Sequence, residues 1–248
     1  MATPAPAAMN KSLSIVGMGH SLTDYLQDFE RHYKKPTSET WGINSVGVWL
    51  RPIDKIIALD NFRRDLTMEG GKHVQYVRNI LDSGIPIISD VADPEWPQVE
   101  AYPLERVVRN IWPSARRDDH CRPGLANTIN YALALAIADG FTEIRLYGCD
   151  FRRSDDKYLI YALADAHHDK PYWWPFHCRE LVDHRRDLEP GEPQTMFLLG
   201  VAHQRGISIA IPPTSSLCDM DRAFYFYGYD RDQPKVFKDE EDGAANAA

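Results

Sequence analysis

The clearest secondary-structure pattern of the chain runs from Leu125 to Gly148 and reads LANTINYALALAIADGFTEIRLYG. Its first part, Leu125–Asp139, is rich in alanine and leucine and predicts a helix, which Gly140 ends. The residues from Glu143 to Gly148 predict a strand. A helix that returns through a glycine into a strand is the second half of a β–α–β unit, so this stretch predicts a parallel sheet.

Short apolar runs on both sides of this unit predict more strands and helices. The strands are expected at 12–17, 41–46, 54–60, 85–90 and 207–212, and the helices at 22–33, 71–82 and 193–205. Residues 91–123 contain five prolines and predict irregular chain with one short helix near 104–110. The alternation predicts a single doubly wound α/β domain, Rossmann-like, with a mainly parallel sheet covered on both faces.

Composition divides the chain into a folded part and two ends. Residues 1–11 are Ala- and Pro-rich and lack the regions of a secretion signal, so we expect a disordered lead-in. Residues 12–217 form the predicted domain, in which the histidine- and aromatic-rich segment 149–192 is expected to be a lid-like insertion. Residues 218–248 form a C-terminal extension with an acidic tail.

Charge and cysteine content narrow the partners and the compartment. The formal net charge of the 248 residues is −8, which argues against nucleic acid as a partner. The four cysteines lie far apart without a CxxC pair, which favours reduced thiols and a cytoplasmic protein. No apolar run reaches the ~18–20 residues that a membrane span needs. An oligomer is compatible with this composition.

Small and polar residues follow several predicted strands, at the edge where ligands bind in open α/β sheets. After the first strand, Gly17 and Gly19 allow a close backbone approach, and Ser21 can cap the next helix, whose free N–H groups favour an anion. A glycine turn that joins a strand to a helix needs no ligand, however. Asn44 follows the second strand and suits either a base, ribose or phosphate, or a turn.

Four further residues complete this predicted edge. Asp60 ends the third strand and suits a ribose hydroxyl, a metal ion or a helix cap. Asn127 and Thr128 begin the long helix as caps or ligand contacts, and Asp150 follows the strand after it. Because the carboxyl ends of parallel strands meet at one edge, these residues together predict a site for a nucleotide-like ligand.

The order of these motifs resembles that of the bacterial sialyltransferase-like Rossmann group. The matching segments are Gly17-Met-Gly-His-Ser-Leu22, Gly42-Ile-Asn44, Tyr147-Gly-Cys-Asp-Phe151 and Ile211-Pro-Pro-Thr-Ser-Ser-Leu217. The group includes CMP-sialic-acid-dependent sialyltransferases of lipooligosaccharide synthesis, relatives resembling hydroxymethylpterin diphosphokinases, and uncharacterised phage proteins. The resemblance implies a glycosyltransferase that uses a CMP-type nucleotide sugar as substrate, without a metal or a tightly bound cofactor.

The resemblance also implies catalytic residues in the segment after Phe151. His184 stands where the sialyltransferases carry a histidine general base, and an imidazole titrates in the range that such a base needs. Tyr158 and Tyr161 stand where tyrosines steady the leaving phosphate. His177 and His168 are nearby alternatives for the base, and a surface histidine beside Arg185 is the structural alternative for His184.

This chain departs from the group's pattern in its ligand loops. Met18 replaces the first-loop asparagine, His20 replaces the proline, and Ala126 stands in the segment that carries Ser/Thr-Ser-Gly in the group. Two other functions therefore stay open. One is a Mg²⁺-dependent diphosphotransferase, in which Asp60 and Asp150, with Asp155 or Asp156 as a further ligand, would hold the metal. The other is a non-catalytic phage accessory protein that binds a nucleotide or a partner.

Overall fold

The computed structural model describes residues 11–17, 19, 21–32, 35–44, 46–50, 52–59, 62–67, 74–112, 125, 127–150, 191–212, 214, 215 and 217. Nearly all of the predicted lid-like insertion and all of the C-terminal extension lie outside these ranges, as does the lead-in up to residue 10. Lys11 is described, and its carbonyl oxygen accepts a hydrogen bond from the Thr142 N–H at 2.9 Å. Among the described helices, none has the length and apolar character needed to cross a membrane.

The described strands form one parallel sheet. They are β1 (Ser12–Val16), β2 (Glu39–Ile43), β3 (Lys55–Ile57), β4 (Ile87–Ser89), β5 (Val99–Ala101), β6 (Glu143–Tyr147) and β7 (Ser208–Ala210). They lie in the order β5-β4-β3-β2-β1-β6-β7, and every pairing is parallel. The strand order reverses at β1, which therefore marks the topological switch point of the sheet.

Helices cover both faces of this sheet. They are α1 (Leu22–His32), α2 (Val46–Trp49), α3 (Phe62–Thr67), α4 (Val74–Leu81), α5 (Leu104–Ile111), α6 (Thr128–Ala138) and α7 (Gly191–Gln204). One core lies under α5, α6 and α7, and the other lies under α1, α2 and α4. The sheet is thus buried on both sides, as expected when crossover helices connect parallel strands.

The two cores divide the side chains of each central strand. In β1, Leu13 and Ile15 join the core under α6, whereas Val16 joins the core under α1. In β6, Leu146 joins the first core and Tyr147 the second. Near-continuous apolar strands of this kind are typical of parallel sheets buried on both faces. The predicted doubly wound α/β fold is therefore confirmed.

Three details of the predicted elements were wrong. The second strand ends at Ile43 instead of residue 46, because Asn44 takes a left-handed backbone with φ 52° and the chain turns into α2. The proline-rich segment contains β5, a three-residue edge strand beside β4, where prolines are tolerated nearby. Helix α3 was not predicted, since the two described core contacts in it, Phe62 and Leu66, form too short a periodic pattern.

Candidate functional site

The candidate site lies at the carboxyl edge of the sheet, around β1, β2 and β6. Because α6 leads into the start of β6, its own first turn lies at the opposite, carboxyl edge. Helix α7 leads into β7 in the same way, so its first turn lies there too. Two helix N-termini, with their partial positive charge, therefore face the edge where the strands end.

The loops after β1 and β6 are joined backbone to backbone. The Gly17 N–H donates to the Tyr147 carbonyl at 2.7 Å, and the Gly19 N–H donates to the Gly148 carbonyl at 2.8 Å. A Cβ on Gly17 would overlap the Gly148 carbonyl oxygen, and a Cβ on Gly148, whose φ is +61°, would overlap the Gly17 carbonyl oxygen. These glycines are thus required by the contact between two protein loops, with or without a ligand.

Asp150 lies at the centre of a buried hydrogen-bonded cluster. Its Oδ2 accepts from the Ser21 N–H at 2.7 Å, and its Oδ1 accepts from the Ser21 hydroxyl at 3.1 Å and the Ser215 hydroxyl at 2.5 Å. The Ser21 Oγ in turn accepts from the Gly148 N–H at 2.8 Å. Asp150 is 8% exposed, and both serines are buried. We call Ser21, Asp150 and Ser215 the serine–aspartate cluster.

Two asparagines predicted for the site each have a polar atom without a hydrogen-bond partner. Asn127 is the N-cap of α6, and its Oδ1 accepts from the Asn130 N–H at 3.0 Å, so the predicted cap role is confirmed. Its Nδ2, however, is buried and unpaired. The Oδ1 of Asn44 is also buried and unpaired. Thr128 is the first residue of α6, directly beside Asn127.

A third amide, Gln194 in the first turns of α7, has a buried and unpaired Oε1. It directly precedes Thr195, whose Oγ1 accepts from the Asn130 Nδ2 at 2.6 Å where α6 and α7 meet. Asn127 and Gln194 each lie within about one helical turn, 5.4 Å, of that contact along their helices. We call Asn44, Asn127 and Gln194 the unpaired amides. Most buried polar groups in proteins have partners, so three such atoms at one edge call for an explanation.

The comparisons with known proteins give a structural likeness only. No protein family and no curated protein matches the chain. The chain is similar to the sialyltransferase CstII from Campylobacter jejuni in complex with a substrate analogue, CMP-3FNeuAc, at 15% identity and a TM-score of 0.42, over 84% of each chain. A second CstII structure, with cytidine-5'-monophosphate, matches at 16% identity and a TM-score of 0.37, over 63% of this chain and 76% of that one. The fold assignment rests on the strand order and directions described above.

The remaining predicted residues lie outside the part of the chain that the structure describes. These are Asp60, which was predicted to end the third strand, and the proposed catalytic residues Tyr158, Tyr161 and His184. Within the described ranges, no group of three or more His, Cys, Asp or Glu side chains is placed to hold a metal ion. Met18, His20 and Ala126 also lie outside the description.

Cys149 stands next to Asp150 but has the character of a core residue. It is fully buried, and burial raises the pKa of its thiol well above the ordinary range. A thiol that stays protonated is a poor nucleophile and a poor metal ligand. Among the residues that the structure describes, the chemistry of this edge therefore falls to amide, hydroxyl, carboxylate and backbone N–H groups.

Sequence reasoning missed Gln194 and the role of Ser215. Ser215 lies in the quoted segment after β7, but the pattern gave no reason to pair it with Asp150 across the sheet. Gln194 looks like an ordinary polar residue of a helix, and only its burial beside α6 sets it apart. Neither signal is available without the packing of the two loops and the two helices.

Proposed function

We propose that the chain binds a CMP-type nucleotide sugar at the unpaired amides and transfers its sugar to an acceptor hydroxyl. The observation that carries the proposal is the buried, unpaired Nδ2 of Asn127 at the N-terminus of α6. A buried donor without a partner costs free energy of about 1–3 kcal/mol, and a bound ligand that accepts its hydrogen bond recovers that cost.

The N-terminus of α6 suits the phosphate of the nucleotide. The first N–H groups of a helix have no acceptor within the helix, and the helix dipole favours negative charge at that end. The Asn127 Nδ2 adds a side-chain donor to this array, and the cap bond through Oδ1 fixes its direction. Such preorganised donors stabilise the charge that develops on a leaving phosphate.

The unpaired acceptors suit the donor groups of a nucleoside. Asn44 directly follows β2, the strand paired with β1, and its Oδ1 can accept from a ribose hydroxyl or a base amino group. The Gln194 Oε1 offers a second acceptor on the α7 side. A ligand with a phosphate flanked by hydroxyl and amino groups would satisfy both the donor and the acceptors.

The transfer itself is assigned to residues outside the described ranges. Under the proposal, the acceptor oxygen forms a bond to the anomeric carbon of the sugar, and the bond from that carbon to the CMP phosphate oxygen breaks. His184 takes the acceptor proton, and Tyr158 and Tyr161 donate to the departing phosphate. These assignments are supported by the motif order of the sequence, and they require no metal ion.

The test compares Asn127→Ser with Asn127→Ala by calorimetric titration of CMP in the presence of EDTA. Serine caps a helix as well as asparagine, so Asn127→Ser should keep the wild-type melting temperature. It lacks the amide Nδ2, and its shorter hydroxyl, held at the cap, does not reach the Nδ2 position. We expect it to bind CMP at least tenfold more weakly, because a hydrogen bond to a charged group is worth about 1.5–3 kcal/mol. Asn127→Ala should lose the same affinity and also about 1 kcal/mol of stability.

Other outcomes separate the competing functions. Wild-type affinity for CMP in Asn127→Ser would overturn the phosphate assignment. Binding of a triphosphate that requires Mg²⁺, with none of CMP, would favour diphosphotransfer. For turnover, His184→Ala should bind CMP normally but release no CMP from a CMP-sugar with an acceptor, and CMP binding by the wild-type chain without turnover of any CMP-sugar would favour a non-catalytic nucleotide binder.

A further inference from the structure

We infer that Asp150 is a positioning residue. It holds the loop after β1 that contains Gly17 and Gly19, which we call the glycine loop, in the conformation that receives a ligand. It also couples this loop to the segment after β7. The identity of the ligand rests on the proposed function, whereas the hydrogen bonds of Asp150 do not depend on it. It departs from the sequence-based hypothesis that Asp150 contacts a nucleotide or a metal ion directly.

The hydrogen bonds of Asp150 point into the protein. A buried carboxylate is stable only when donors surround it, and here one N–H and two hydroxyl groups donate to its two oxygens. A ligand or a cation at either oxygen would have to compete with these bonds. The geometry therefore fits a carboxylate that organises its neighbours better than one that receives a substrate.

The cluster joins three separate parts of the chain. Ser21 belongs to the loop after β1, Asp150 to the loop after β6 and Ser215 to the segment after β7. Gly19 packs directly against the Asp150 side chain, since a Cβ at that position would meet its carboxylate oxygen at 2.5 Å. The same carboxylate thus sets both the backbone path of the glycine loop and the place of Ser215.

The segment after β7 is held at a second point beside the glycine loop. The Thr214 hydroxyl donates to the Asp24 carboxylate in the first turn of α1, the helix that the glycine loop begins. A displacement of residues 214–215 would therefore act on both the loop and the start of α1. This connection makes ligand affinity at the edge sensitive to the segment after β7.

The experiment measures hydrogen exchange of the Ser21 and Gly148 amides without ligand, and CMP affinity separately. We expect Asp150→Asn to raise both exchange rates at least tenfold, because its Nδ2 takes the place of one carboxylate oxygen, so that either the Ser21 N–H or the serine hydroxyls lose their acceptor. Ser215→Ala should raise the same two rates by a smaller factor. The separate variant Ser215→Thr, which keeps the hydroxyl, should show the wild-type rates. The Ile56 and Ile87 amides of the distant strands are the internal control.

The affinity measurement distinguishes a positioning role from a direct contact. Both Asp150→Asn and Ser215→Ala should weaken CMP binding in proportion to their exchange rates, and Ser215→Thr should bind normally. Unchanged exchange in Asp150→Asn, or weaker binding with unchanged loop amides, would overturn the inference. If Asp150→Asn does not fold, the two Ser215 variants carry the test. If the wild-type chain does not bind CMP, the proposed function fails, while the exchange rates still decide the coupling.

Discussion

Two groups of polar residues share one edge of the sheet and differ in how their hydrogen bonds are met. In the serine–aspartate cluster, Asp150 accepts from Ser21 and Ser215, and Ser21 accepts from the Gly148 N–H. Each of the unpaired amides keeps a buried atom without a partner. The serine–aspartate cluster stabilises the fold. The unpaired amides lower its stability, and their hydrogen-bonding groups are satisfied only when a ligand binds.

The difference separates residues that stabilise the fold from residues that can bind a ligand, although the sequence motifs group them together. The motif order predicts Ser21, Asp150, Asn44 and Asn127 as one set of ligand residues. The contacts divide the set in two, because a group whose bonds are complete has little left to offer a ligand. Substitutions in the cluster should therefore reduce stability, and substitutions of the amides should reduce binding.

The largest effect is expected at the backbone contact beneath the cluster. Gly148→Ala should lower the free energy of unfolding by roughly 3–4 kcal/mol, because a left-handed alanine is strained and its Cβ would overlap the Gly17 carbonyl. Gly84→Ala is the matched control, with φ +68° and no atom within 4 Å of the added Cβ. It should cost only about 1–2 kcal/mol. If urea denaturation gave equal losses of stability for Gly148→Ala and Gly84→Ala, the overlap with the Gly17 carbonyl would have no cost of its own.

A smaller effect is expected at alkaline pH from Tyr147, which lies next to this contact. Burial and the nearby Asp28 carboxylate raise the pKa of its phenol well above 10, and its hydroxyl donates to Asp28 at 2.9 Å. The unfolded chain loses this proton first, so its contribution to stability is complete below about pH 10 and falls by up to about 1.4 kcal/mol per pH unit above it.

The variant Tyr147→Phe tests this dependence. It should unfold with a shallower loss of stability between pH 10 and pH 11.5 than the wild type, measured by urea denaturation at each pH. Buried Tyr102, whose pKa is also raised by burial, stays in both proteins and accounts for part of the remaining slope. An identical slope in the two proteins would mean that the Tyr147 phenol ionises as readily in the folded state as in the unfolded state.

The smallest effect on stability is expected at Asn44. Because its φ is 52°, glycine fits the position without strain, and Asn44→Gly should unfold within about 0.5 kcal/mol of the wild type. Asn44→Ala keeps the left-handed strain and should lose about 1–2 kcal/mol. Both should bind CMP more weakly, by the same factor. A loss of stability in Asn44→Gly as large as in Asn44→Ala would assign the side chain to the scaffold.

The sequence predicts the fold better than it predicts which residues of the carboxyl edge stabilise the protein and which can bind a ligand. The alanine-rich helix, its glycine stop and the strand to Tyr147 follow from local propensity, so α6 and β6 lie close to where we expected them. The short strand β5 escapes prediction because three residues at an edge carry almost no pattern. The pairing of Ser21 with Asp150 and Ser215 depends on distant segments, and no local rule encodes it.

The facing glycines at positions 17 and 148 have a consequence for the history of this chain. The backbone at each of these glycines blocks a side chain on the other. Because both residues are already glycine, a larger residue at one position cannot be accommodated by a smaller residue at the other. Descendants of this chain should inherit the two glycines as one unit, even where the amides beside them drift to fit another ligand. The pair offers a stable landmark for recognising distant descendants, independent of what they bind.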